Sequence, residues 1–194
     1  MSYQLVFSEL TDEKSKDVGE NVFLDNLPSD CTVYLFYYPG AIVDEVLESK
    51  LRSLGGITGK NLFVNIGRLN DPNYNKIANK FKIMDLPVII LTAIDDLASP
   101  PKEFLTAYVR IDNKKLLNSP DVVIQCLQRL FNLFIEGKIS EALNQFEKDK
   151  RDIILSRIKG IITVALKGVW EALKDTDVSL SLAEGKFEIK LSGR

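Results

Sequence analysis

The chain has 194 residues, 45% of them hydrophobic and 27% charged, with a formal net charge of −2. That composition belongs to a globular chain long enough to bury a core, as one domain with an extension or as two small ones. Lysine and arginine are spread along most of the sequence, which argues against a long phosphate-binding footprint and so against nucleic acid as a partner.

There is no histidine. Its absence removes Ser-His-Asp and Cys-His catalysis, imidazole acid–base chemistry and every His-containing metal site. Two cysteines, Cys31 and Cys126, are too few for a zinc or iron–sulfur site within one chain. Each sits among apolar residues, the setting of a buried inert thiol. No metal and no cofactor is expected. The start of the chain lacks the basic and apolar regions of a secretory address, and no apolar run approaches the ~20 residues that span a bilayer. A cytoplasmic protein is expected.

In chain order, residues 4–7 read as a short strand, 8–17 as a polar turn-rich stretch, and 22–27 as an apolar helix or turn closed by Pro28-Ser29-Asp30. Residues 32–38 are β-branched and aromatic without alternation, the pattern of a central strand buried on both faces. Pro39-Gly40 stops it. Apolar residues at 42, 43, 46, 47, 51 and 54 mark one face of a helix, with Gly55-Gly56 as its expected end. Residues 61–66 form a second buried strand. Asn70-Asp71-Pro72 starts another helix with a capping side chain and then a proline, and Ile77, Ala78 and Phe81 form its inner face. Residues 88–94 follow Leu86-Pro87 as a third strand, and 107–111 give a fourth. The helix over 120–135 is apolar around most of its circumference, so it needs cover on a second side. Strands alternate with helices and the last two strands can form a hairpin, which predicts an α/β fold with a mixed central sheet flanked by helices.

Residues 1–136 resemble the thioredoxin-like fold. The likeness rests on the strand 33–38 running into Pro39-Gly40, the strand 61–66 followed by Asn70-Asp71, and the helix-to-strand segment 74–91 containing Leu86-Pro87-Val88. The resemblance implies a cis proline at Pro87 beside the family's redox motif. The motif itself is missing. Where the family places Cys-x-x-Cys on a helix start, this chain has Tyr38-Pro39-Gly40-Ala41-Ile42-Val43, and the strand before it lacks the family's buried carboxylate. Thiol–disulfide exchange at that position is excluded. The chain resembles redox-inactive members that keep the fold as a binding module. A groove bounded by Tyr37, Tyr38, Pro39, Gly40, Leu86 and Pro87 is the candidate site, with the Leu86 backbone available to an extended peptide and aromatic rings as contact area.

Residues 137–194 lie beyond that fold. Ile154, Ile158, Ile161, Ile162, Ala165 and Val169 fall on one face of a helix over 153–173, with Trp170 near its end. The segment before it either continues that helix as one rod or folds back near 148–151. Val178, Leu180 and Leu182 then alternate with serines, and Phe187, Ile189 and Leu191 with charged residues. A turn at Glu184-Gly185 sets Leu182 opposite Phe187, Leu180 opposite Ile189 and Val178 opposite Leu191. Two strands alone are not stable in water, so the apolar face needs cover from the helix, the main sheet or another chain. The expectation is a helix–hairpin extension that serves assembly, in a homo-oligomer, through Ile154, Ile158, Ile161, Val169, Trp170, Phe187 and Ile189. The whole plan is similar to escort and chaperone proteins that join an inactive thioredoxin-like domain to a helical C-terminal module.

Other motifs read as structure. Gly55-Gly-Ile-Thr-Gly-Lys60 lacks the phosphate-loop spacing and follows a helix rather than a strand. Asp71 and Asp95-Asp96 lack a spaced set of oxygen ligands. The leading expectation is a non-enzymatic protein-interaction or chaperone-like module with a protein partner. One alternative is a glutathione-dependent transferase using Tyr37 or Tyr38 to activate a thiol. Another is docking of the basic, Trp-bearing 153–173 helix on a membrane surface.

Overall fold

The computed structural model describes residues 31–41, 44–67, 78–79, 81–93, 106–144, 151–183 and 186–193. The segments read from the sequence at 4–7, 8–17, 22–27 and 70–77, the aspartates Asp71, Asp95 and Asp96, and the turn Glu184-Gly185 lie outside the described residues.

Among the described residues, six strands form one mixed sheet flanked by helices, an α/β fold. The strands are β1 (Val33–Tyr38), β2 (Leu62–Ile66), β3 (Val88–Ala93), β4 (Thr106–Ile111), β5 (Thr176–Ala183) and β6 (Lys186–Gly193), in the spatial order β2-β1-β3-β4-β6-β5. β1 runs parallel to β2 and antiparallel to β3, and β3 is antiparallel to β4. All six residues of β1 are buried, as its unalternated apolar run requires. Successive side chains serve two cores. Val33, Leu35 and Tyr37 face the helices, while Tyr34, Phe36 and Tyr38 join Phe63, Phe81, Val88 and Ile90 in an aromatic cluster on the other face. Cys31 lies in this second cluster and Cys126 in the first, and both are buried.

The helix α1 (Glu45–Thr58) connects β1 to β2. Gly55-Gly56 does not end it; the helix continues through the pair, and Gly59, at φ 64°, caps it. Packing explains the difference. A Cβ at position 55 would stand 2.9 Å from Val64 Cγ2, so glycine there lets α1 lie close against β2. After β4 come a short helix α2 (Lys114–Leu117), then α3 (Pro120–Ile135), α4 (Lys138–Asn144) and α5 (Arg151–Leu166), which tightens into a 3₁₀ segment, Lys167–Leu173. The helical region expected over 153–173 is therefore regular only to Leu166. α3, α4 and α5 pack on one another, so the chain folds back rather than forming a rod.

The boundary expected at 136 separates neither two sheets nor two cores. β6 adds parallel to β4, from Thr106 opposite Lys186 to Ile111 opposite Leu191, and β5 pairs antiparallel with β6. The three pairs read from alternation, Leu182 with Phe187, Leu180 with Ile189 and Val178 with Leu191, are all present. Ile158, Ile162, Val169 and Leu173 share one core with Phe187, Ile189, Leu191 and the α3 residues Leu127, Leu130 and Phe131. This is the second cover that α3 needed. Polar contacts stitch the same seam. Asn113 Nδ2 donates to Thr176 Oγ1 at 2.9 Å while its Oδ1 accepts from Leu116 N at 3.1 Å, and Arg129 Nη1 donates to Ala165 O at 3.0 Å near the C-terminal end of α5.

Candidate functional site

β1 ends at Tyr38, directly opposite Val88 of β3, so Pro39-Gly40 leaves the sheet beside Leu86-Pro87. A Cβ on Gly40 would lie 3.5 Å from Pro87 Cδ and 3.8 Å from the Leu86 carbonyl carbon, ordinary contact distances that place the two segments side by side. The Leu86–Pro87 peptide is cis, the geometry the family resemblance implied. Pro39, Gly40, Leu86 and Pro87 are all half-buried. Two exposed apolar side chains flank them in sequence, Met84 at 88% exposure and Val46 at 57%.

The tyrosines expected to line this corner do not. Tyr37 and Tyr38 are 2% and 1% exposed and point to opposite cores. The Tyr38 ring covers Gly67, where a Cβ would come within 2.0 Å of Cε1, and Gly67 N donates to Tyr37 O at 2.8 Å. The corner therefore offers backbone and aliphatic surface rather than aromatic rings. The phenol of Tyr37 is pushed up to about 12, first by burial and then by the charges of Asp44 and Glu48. Its burial, shared by Tyr38, keeps it away from any thiol placed at the corner.

The start of α1 is the place where a redox thiol would gain from the helix dipole. Here it carries Asp44. Its Oδ1 accepts from Val46 N at 3.0 Å and Leu47 N at 3.1 Å, so two of the donors that could hold an anion are already used. Glu45 and Glu48 add negative charge to the first turn, and Glu48 pairs with Arg52 at 2.6 Å. Among the described residues, no group of three His, Cys, Asp or Glu side chains converges as a metal would require.

Sequence reasoning missed Arg110. It stands on β4, on the aromatic-cluster side of the sheet, and its Nη2 donates to Phe81 O at 2.6 Å and Lys82 O at 2.8 Å. Lys82 has φ 50°, and Ile83 N donates to Ala78 O at 2.8 Å, a left-handed stop to the preceding helical turn. Arg110 thus fixes the turn from which Met84, Leu86 and Pro87 project. A lone arginine in a strand gives no sequence signal for that role. Met84 was missed because one exposed methionine is unremarkable until its neighbours are known.

The expected assembly surface is also relocated. Ile154, Ile158, Val169, Phe187 and Ile189 are buried in the chain's own core, and Ile161 is half-buried against it. The sequence presents them as surface because the hairpin and the helix each have an apolar face, but those faces cover one another. Of that group only Trp170 is exposed, at 43%. Ile154, Ile158, Ile162 and Leu166 of α5 face inward, while Ile153, Val164 and the following Trp170 stay exposed, and among the described residues no helix is long and apolar enough to cross a membrane.

No protein-family model, no curated protein and no solved structure matches this chain.

Proposed function

We propose that this is a non-enzymatic, redox-inactive binding module on a thioredoxin-like plan, and that the corner of Pro39, Gly40, Leu86 and Pro87, with Met84 beside it, takes an extended segment of a protein partner. The order β2-β1-β3-β4, with β1 parallel to β2 and antiparallel to β3, supports the likeness of plan. The observation that carries the reading is Asp44. A carboxylate caps α1 where thiol chemistry would need a nucleophile, while the adjoining backbone corner stays half-exposed. A bound strand would gain main-chain hydrogen bonds there and apolar contact with Met84. Two cysteines buried in apolar surroundings suit a cytoplasmic protein. The glutathione-transferase alternative is disfavoured by the burial of both Tyr37 and Tyr38.

The test is fluorescence anisotropy with a labelled, permanently unfolded and thiol-blocked polypeptide. Binding that weakens about tenfold in Met84→Asp, the scale of removing one well-placed apolar anchor, supports the proposal. Binding unaffected by Met84→Asp, or no binding at all, contradicts it.

A further inference from the structure

The two ends of the described sheet differ. β2 is short and buried along its whole length. β5 is eight residues long, and among the described residues it has a neighbour on one side only, β6. Asp177, Ser179 and Ser181 are exposed, and Val178 and Leu180 are half-exposed at the rim of the main core. In an antiparallel ladder every second residue of an edge strand turns its N–H and C=O away from its partner. Natural edges of this length are blunted by lysine, proline or bulges. β5 reads Thr-Asp-Val-Ser-Leu-Ser-Leu-Ala, with no lysine, no proline and an unbroken register to β6.

We propose that β5 is a self-association edge, and that its occupant is a second copy of this chain paired antiparallel about a two-fold axis at Leu180. The sequence is self-complementary about that residue. Leu180 falls opposite Leu180 of the second copy, Ser179 opposite Ser181, and Val178 opposite position 182, so each face of the strand meets its like and no two like charges stand opposite. The rows behind the edge also agree. Ser179 lies beside Lys190 of β6 and Ser181 beside Glu188. Joining Ser179 to Ser181 of the second copy continues a row ending in a cation into one ending in an anion. The two sheets become one continuous sheet, and the half-exposed rim at Val178 and Leu180 is closed. This surface is separate from the Pro39–Pro87 corner, and it replaces the buried face that the sequence suggested for assembly.

The test uses the full chain in light scattering from micromolar to millimolar concentration. Two double variants, Ser179→Lys with Ser181→Lys and Ser179→Glu with Ser181→Glu, change only exposed side chains and set like charges opposite each other across the two-fold. The wild-type chain is expected to dimerise. Each double variant alone should dimerise at least about tenfold more weakly, with an unchanged circular dichroism spectrum, and an equimolar mixture should recover the dimer. A wild-type chain that stays monomeric throughout, variants that dimerise as well as wild type, or a mixture that stays monomeric would each overturn the proposal, including the case in which the edge takes an unrelated peptide instead.

Discussion

Asp44 Oδ1 accepts the backbone N–H of Leu47 at 3.1 Å, and in doing so it occupies the start of α1 beside the phenol of Tyr37. One carboxylate therefore does two things: it caps the helix and adds, after burial, to the rise in the Tyr37 pKa. Asp44→Asn separates them, since asparagine caps as well as aspartate but carries no charge. In this variant Tyr37 should ionise at lower pH than in the wild type, read by tyrosinate absorbance, with little change in melting at neutral pH.

Alkaline pH should unfold the protein for a related reason. Tyr37 is raised from 10.0 to about 12, and the Cys126 thiol from 9.0 to about 12, in both cases chiefly by burial. Both groups hold their protons more tightly folded than unfolded. The stability they contribute is complete below about pH 9 and is lost as pH climbs through 12, on the order of 2–3 kcal/mol for the tyrosine alone. Urea unfolding at pH 8 and pH 11 should show the fall.

Two glycine substitutions should move stability in opposite directions. A Cβ at Gly67 would collide with the Tyr38 ring, so Gly67→Ala should cost about 1–3 kcal/mol. Gly160 sits inside α5 with nothing within 4 Å of its added Cβ, so Gly160→Ala should stabilise by about 0.5–1 kcal/mol. Thermal melts of the pair give both signs.

Asn65 is 1% exposed on β2, next to the aromatic cluster, and among the described residues neither atom of its amide has a hydrogen-bond partner. A buried amide in that state costs about 1–3 kcal/mol. Asn65→Leu, close in size and without polar atoms, should raise the melting temperature, by about 2–4 °C per kcal/mol for a chain of this length.

Much of the architecture can be read from residues, and the reasons are local. Val178, Leu180 and Leu182 alternate strictly, so one register buries them and the hairpin pairing follows. The even burial of β1 is written in an apolar run with no polar break. What stays hidden depends on distant contacts. Nothing in residues 186–193 announces that they pair parallel with β4, and that pairing decides whether the C-terminal segment is a module or part of the core. Gly55-Gly56 looks like a helix stop until Val64 is seen against it. At the candidate site, Pro39, Gly40, Leu86 and Pro87 are legible as a corner, but the inward turn of Tyr37 and Tyr38 is not, because aromatic residues at a strand end serve a core or a groove equally well.

Arg110 gives the account a prediction that joins fold to site. Arg110→Met keeps the aliphatic stem and removes the donors to Phe81 O and Lys82 O. Without those charge-assisted hydrogen bonds the fold should be weaker by about 1.5–3 kcal/mol. Faster amide exchange at Ile83 and weaker binding of the unfolded probe should accompany it, although Arg110 lies outside the proposed contact surface.

The central claim is that the corner beside Asp44 binds an extended chain without thiol chemistry. Nuclear magnetic resonance tests it most directly, by titrating the isotope-labelled full chain with a thiol-blocked unfolded polypeptide. The account predicts shifts concentrated at Gly40, Met84 and Leu86. Shifts that avoid these residues, or binding that disappears when the polypeptide's thiols are blocked, would contradict it.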